Sequence, residues 1–149
     1  MKIIGIDPVL SSTGIGFVNG AGLKINGCSY GSINTSQKTP LPGRLYEIYD
    51  RLFALLKVEK PDLMVIEDVF SLKQYPKSGI ILGQVSGVIL LAGMQIGMTT
   101  LEVPVREAKQ VLTGNGNATK MQLEKSVRNL LKLSSPIRPL HASDALGLA

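Results

Sequence analysis

Two short apolar runs, KIIGID at residues 2–7 and LMVIE at residues 63–67, each finish on a carboxylate. No other feature constrains this chain as strongly. Runs of this length and apolarity read as buried strands. A charge at the end of such a strand is costly unless something pairs with it. Strand ends in mixed α/β sheets also gather where such folds place their sites. Asp7 and Glu67 are therefore expected to converge, and oxygen ligands of this kind favour Mg²⁺ or Mn²⁺. No sequence neighbour of Asp7 carries the opposite charge, so a metal is its natural partner. The bland alternative is a pair of strand-terminal acids facing water.

The remaining pattern supplies the rest of a mixed sheet. Residues 13–19 (TGIGFVN) read as a second strand with the turn Gly20-Ala21-Gly22 after it. Residues 23–34 read as a third, with Gly27 and Gly31 as weak points or bulges. Three adjacent strands with tight turns form an antiparallel meander. Leu41, Leu45, Ile48, Tyr49, Leu52, Leu55 and Leu56 repeat at helical spacing, with Pro42 in the first turn. Residues 79–97 carry no charge, which raises a membrane span. Gln84, Ser86, Gln95 and five glycines fit the central helix of a soluble core better. A fifth strand at 99–103 precedes a short helix at 105–112 and a plain loop at 114–117. Thr119 and Gln122 then form the capping box of a helix running to about Leu133. A Pro-containing linker at 134–140 leads into a last helix from His141. The order β-β-β-α-β-α-β-α-α-α predicts one α/β domain over residues 1–149, a mixed five-stranded sheet flanked by helices.

His141 and Asp144 share one face of that last helix by their i, i+3 spacing. Their helical neighbours Ala142, Ala145 and Leu146 are small and apolar, as in a helix packed on a core. Most other acids have structural explanations: Glu47, Asp50 and Glu59 lie on or near the polar face of the first helix, Asp62 at a turn, and Glu107 and Glu124 among bases. Three carboxylates and a histidine can hold two divalent ions that clamp the attacking and leaving oxygens of a phosphodiester. Charge suggests the substrate. Arg106, Lys109, Lys120, Lys125, Arg128, Lys132 and Arg138 face only Glu107 and Glu124 over residues 106–138, which matches the formal excess of +5 for the whole chain. Such a basic half suits a polyanion. The single Cys28 and the absence of a leader pattern before MKIIGID suit a reducing cytoplasm.

G-I-D-P at residues 5–8 with T-G at 13–14, I-E-D-V-F at 66–70, L-G-Q-V-S-G-V at 82–88, R-x-x-K-Q-x-x-x-G-x-G at 106–116 with A-T-K at 118–120, and H-A-S-D-A-L at 141–146 stand in order along the chain. Together they resemble the RuvC family of Holliday junction resolvases. The resemblance implies a ribonuclease-H-like fold and hydrolysis of two symmetric strands at a four-way DNA junction, in recombination and repair. It implies a homodimer, with a branch-migration motor as a possible further partner and no membrane. It assigns Mg²⁺ or Mn²⁺, two per active site, to Asp7, Glu67 and Asp144, with His141 as a further ligand or a proton carrier. It assigns Phe70 to stacking on bases near the crossover, and Lys73, Arg106, Lys109 and Lys120 to DNA contact. Backbone contacts of that kind give salt-dependent affinity with little sequence information.

Three departures stand out. Val9 replaces a usual glycine after D-P, residues 71–73 (Ser-Leu-Lys) vary freely, and the sequence ends at Ala149 inside the expected last helix. Three other readings compete. A related nuclease of the YqgF type acting on RNA shares the G-I-D-P start. A nucleotide-binding module of the actin and sugar-kinase type would need a second lobe. A catalytically idle junction-binding protein would not be expected to retain Asp7, Glu67 and Asp144.

Overall fold

The computed structural model describes residues 1–22, 24–68 and 76–149. Its elements are β1 (Lys2–Asp7), β2 (Ser12–Ala21), β3 (Lys24–Asn34), α1 (Leu41–Glu59), β4 (Leu63–Asp68), α2 (Pro76–Gln95), β5 (Thr100–Pro104), α3 (Val105–Thr113), α4 (Lys120–Leu130) and α5 (Leu140–Leu148). They form one five-stranded sheet in the order β3-β2-β1-β4-β5. The three hairpin strands are antiparallel, while β4 joins β1, and β5 joins β4, in parallel. The mixed sheet is as the sequence predicts, with helices on both sides.

Strand periodicity sorts the side chains between two helical layers. Ile4, Ile6, Ile15, Phe17, Met64 and Ile66 pack with Ile48, Leu52 and Leu56 of α1 and with Val85, Ile89 and Ala92 of α2. On the other face a smaller cluster joins Leu123 and Val127 of α4 to Ala142 and Leu146 of α5, with Val18 of β2 against it. Register across the central strands is pinned at the start of β1. Lys2 N–H donates to Asp62 Oδ2 at 2.7 Å, and Asp62 N–H returns a bond to the Lys2 carbonyl at 2.8 Å. The Lys2 ammonium also pairs with Glu59 at the end of α1. Ile6 thereby stands level with Ile66. One row further along this ladder sets Asp7 beside Glu67 on the same face.

That face is lined by glycine where α5 crosses it. Gly5 opposes Gly16, and Gly14 opposes Asp7, in the β1–β2 ladder. A methyl group at Gly16 would stand 2.6 Å from the Leu146 amide nitrogen. One at Gly5 would run into the Ala145 carbonyl, and one at Gly14 into the His141 carbonyl. The obstacles are helix backbone, which cannot rotate away. Three missing side chains thus allow α5 to lie directly on the strands.

Several sequence expectations need correction. The register shift in the β2–β3 hairpin falls between the pairs Asn19–Gly27 and Gly20–Ile25, so the irregularity expected at Gly27 lies beside it, whereas Gly31 sits in regular register. Leu23, expected to open β3, lies outside the described residues. Helix α4 stops at Leu130, short of Leu133, and Lys132 follows with a positive φ of 55°. The capping box of Thr119 and Gln122 is present. Helix α2 is long and apolar enough to cross a membrane. Val85, Ile89 and Ala92 instead pack in the core, while Ile80, Leu91 and Met94 remain exposed. Only one side of this helix is central. Glu124, read as one acid among bases, is 2% exposed. It pairs with Arg128 at 3.3 Å and accepts the Ile137 N–H at 2.9 Å, which ties α4 to the segment entering α5.

Gly5→Ala or Gly14→Ala should therefore destabilise the protein by about 3 kcal/mol or more, because the helix must lift to admit the methyl group. Gly27→Ala, at an open position, should stay within about 0.5 kcal/mol of the parent. Urea unfolding of the three variants side by side checks both.

Candidate active site

Asp7 ends β1 and is 5% exposed, facing the α5 side of the sheet. Asp144, in the second turn of α5, is 6% exposed. His141 lies one turn earlier, and its Nδ1 is 2.6 Å from Asp7 Oδ2. Asp7, His141 and Asp144 each offer a ligand atom, and those atoms lie within 4.8 Å of one another. Glu67, in β4, stands outside that tight set. It is still close enough for its charge and that of Asp7 to act strongly on each other. The structure thus brings together the four residues that the sequence singled out, three tightly and Glu67 beside them.

Burial of like charges dominates the electrostatics. Burial, then the neighbouring Asp144, pushes the Asp7 carboxyl up to about 6, with Lys120 working in the opposite direction. Burial, then Asp7, pushes Glu67 up to about 7. Burial and the Lys120 charge together lower His141, against the pull of Asp144 and Glu67. Burial and the Lys120 charge thus favour the neutral imidazole. In that form its Nδ1–H donates to Asp7, and Nε2 keeps its lone pair.

The cluster also holds a cation that the resemblance assigns to DNA contact. Asp7 has no cation beside it in sequence, yet the fold brings the charge of Lys120 near it, in addition to the His141 imidazole. Lys120 Nζ is 3.1 Å from Asp144 Oδ2. Asp144 Oδ1 is buried with no hydrogen-bond partner among the described residues. A buried carboxylate oxygen without a donor is a group to which a cation would bind. The all-oxygen character of the three carboxylates fits Mg²⁺ or Mn²⁺, and a neutral imidazole nitrogen is compatible with Mn²⁺.

Lys120 owes its place to a loop that looked plain in sequence. Gln110 of α3 donates through Nε2 to the Gly114 carbonyl at 3.0 Å, and its Oε1 accepts the Gly116 N–H at 2.9 Å. Thr113 Oγ1 donates to the Lys109 carbonyl at 2.8 Å and accepts from Asn115 N–H at 3.1 Å. Gly114 takes the left-handed cap with φ 75°, and Gly116 lies against the Arg106 side chain, where a methyl group would be 2.8 Å from Cγ. The glycines and Gln110 of the R-x-x-K-Q-x-x-x-G-x-G pattern build this turn, and the Thr119 capping box then starts α4 with Lys120. A Gln four and six residues ahead of two glycines is the sequence signal that would have found it. Arg106 and Lys109 stand on α3, and no described contact joins either to the carboxylates. Phe70 and Lys73 lie outside the described residues, as does the rest of 69–75.

The comparisons with known proteins agree with this geometry. The family model described as crossover junction endodeoxyribonuclease RuvC matches residues 3–149. The protein of that name from Brevibacillus brevis is 36% identical over 149 residues, covering all of this chain and 89% of that protein. Its namesake from Thermosipho melanesiensis is 39% identical, covering all of this chain and 94% of that protein. Among solved structures, Thermus thermophilus RuvC in complex with Holliday junction substrate superposes with a TM-score of 0.90 at 29% identity. That match covers all of this chain and 90% of the other. The yeast mitochondrial Holliday junction resolvase shares the fold, with a TM-score of 0.65 at 10% identity over 98% of this chain and 75% of that one.

Raised carboxylates bind protons more tightly in the folded state than in the unfolded one. Without metal, their contribution to stability is largest below about pH 4 and falls as pH rises towards about 7. A divalent ion reverses that loss by taking the place of the protons. The rise in Tm caused by saturating Mn²⁺ should therefore be larger at about pH 7.5 than at about pH 5. Thermal melts with Mn²⁺ and with chelator at both pH values measure this directly, and an equal rise would contradict the site.

Proposed function

The chain belongs to the RuvC family of crossover junction endodeoxyribonucleases, and on that footing we propose that it resolves four-way DNA junctions by metal-dependent hydrolysis in two symmetric strands. The observation that carries this reading is the convergence of Asp7, Asp144 and His141 within 4.8 Å on a basic chain. Asp7, Glu67 and Asp144 would hold Mg²⁺ or Mn²⁺, two per site. When bound, the ions supply the Lewis acidity that polarises the phosphate and steadies the attacking and leaving oxygens. The chain's own residues do the rest. Asp7 holds His141 Nδ1 and so fixes the ring. Nε2 then accepts a proton from the attacking water, a role that suits an imidazole kept neutral. Arg106, Lys109, Lys120 and Lys73 supply phosphate contacts, and Phe70 stacks on bases at the crossover.

Two symmetric cuts need two sites. Ile80, Leu91 and Met94 are exposed along α2, and Gly83 and Gly87 on the same helix carry no side chain. This supports a homodimer built on α2, since an apolar ridge with small residues permits close helix contact. We further propose that residues 1–149 act as one nuclease domain in the cytoplasm, alongside a motor that moves junctions.

Cleavage of a synthetic four-way junction, beside linear duplex and an RNA–DNA hybrid, with and without Mg²⁺, tests the reading. Paired nicks in the junction only, and only with metal, are expected; cutting of the hybrid alone would favour the RNA-directed alternative. Asp7→Asn, Glu67→Gln and Asp144→Asn should each lower cleavage by about 10³-fold or more while junction binding survives. His141→Ala should lower the rate by about 10²-fold or more and leave ion affinity near that of the parent, as a proton carrier would. A matching loss of ion affinity would instead make His141 a ligand. Leu91→Glu should shift the protein to monomer in sedimentation.

A further inference from the structure

Asp144 is paired from within its own chain. Lys120 is the first residue of α4, and the hydrogen-bonded turn before it fixes where that helix begins. Its Nζ reaches Asp144 Oδ2 at 3.1 Å, although the lysine side chain is 52% exposed and the aspartate only 7%. The same ammonium is held charged by Asp144, Asp7 and Glu67, whose pull outweighs its own partial burial. It therefore serves all three carboxylates, and Asp144 Oδ1 remains without a donor among the described residues. One ammonium leaves the cluster with an excess of negative charge and an unused acceptor.

An ammonium and a divalent ion compete for this carboxylate. An ion held by Asp7 and Asp144 would bring two positive charges to the cluster on which the lysine charge already acts. In a largely buried site that repulsion is strong. Asp144 is fixed by the packing of α5, whereas Lys120 is half exposed on a flexible stem. The lysine is the partner free to move. We propose that Lys120 is the built-in counterion of the metal-free site: it pairs with Asp144 until a divalent ion binds, is then displaced, and so becomes available to a DNA phosphate. This rests on the metal-binding reading above and adds an order of events, in which ion binding releases the cation that engages the substrate.

The test uses the intact protein and Mn²⁺ or Mg²⁺ without DNA. In calorimetric titration, Lys120→Met should bind Mn²⁺ roughly threefold to tenfold more tightly than the parent, since no internal cation has to leave. Lys120→Arg should stay near the parent. In ¹⁵N spectra of the lysine ammonium groups, saturating Mg²⁺ should shift or broaden away the Lys120 resonance. Equal affinities in the parent and Lys120→Met, or a Lys120 resonance unmoved by Mg²⁺, would overturn the exchange and leave the metal site standing. A parent protein that binds neither ion would overturn both. With Ca²⁺ present to prevent cutting, the salt slope of junction binding should be steeper in the parent than in Lys120→Met by about 0.9. Equal slopes would overturn the transfer to DNA.

Discussion

The site depends on how closely α5 can approach the sheet. A helix packed on a strand normally stands off by the length of the intervening side chains. Here Gly5, Gly14 and Gly16 remove that spacer, and the backbone of α5 at His141, Ala145 and Leu146 occupies the space. The consequence is local and geometric. Asp7, whose own side chain rises from the same face, meets His141 at 2.6 Å. A helix lifted by one methyl group would take His141 and Asp144 away from Asp7 together, because both ride on the same rigid element. The glycines are therefore part of what brings the carboxylates and His141 together, although none of them carries a functional group.

Close approach creates an electrostatic difficulty, and its resolution gives the site its chemistry. Burial first, and then the charge of neighbouring carboxylates, raises the proton affinity of Asp7 and Glu67 above the usual carboxylate range. The fold tolerates this because the larger core lies on the opposite face, where α1 and α2 cover Ile4, Ile6 and Ile66. Stability and function are thus assigned to different sides of one sheet. Burial on the α1–α2 side holds the strands, while the α5 side carries a charge cluster that cations relieve.

Much of this was legible in the sequence, for physical reasons that differ by residue. Asp7 and Glu67 were readable because a charge closing an apolar strand is rare without a partner. His141 and Asp144 were readable because i, i+3 spacing on an apolar helix fixes a shared face. The mixed sheet is readable from three hairpin strands followed by alternating strands and helices. What escaped notice depended on contacts distant in sequence. Glu124 looked like a solvated acid, since nothing near it in sequence reveals that Ile137 N–H turns back onto it. The Lys120–Asp144 pair joins residues on separate helices. Glycine weakens a strand, and the ladder shift does lie beside Gly27, but Gly31 keeps regular register, so composition alone does not tell which glycine marks the bulge. The central place expected for α2 holds on one side only, because uncharged composition cannot separate a helix buried all round from one with an open apolar side.

That open side bears on selectivity. The carboxylate cluster itself is suited to any phosphodiester, so preference for a four-way junction has to arise outside it. On the proposed dimer, α2 carries the contact between copies. The same helix follows β4, the strand that carries Glu67 next to its last residue, Asp68. On that dimer the spacing of the two sites, rather than an additional binding pocket, would supply the preference for a four-way junction.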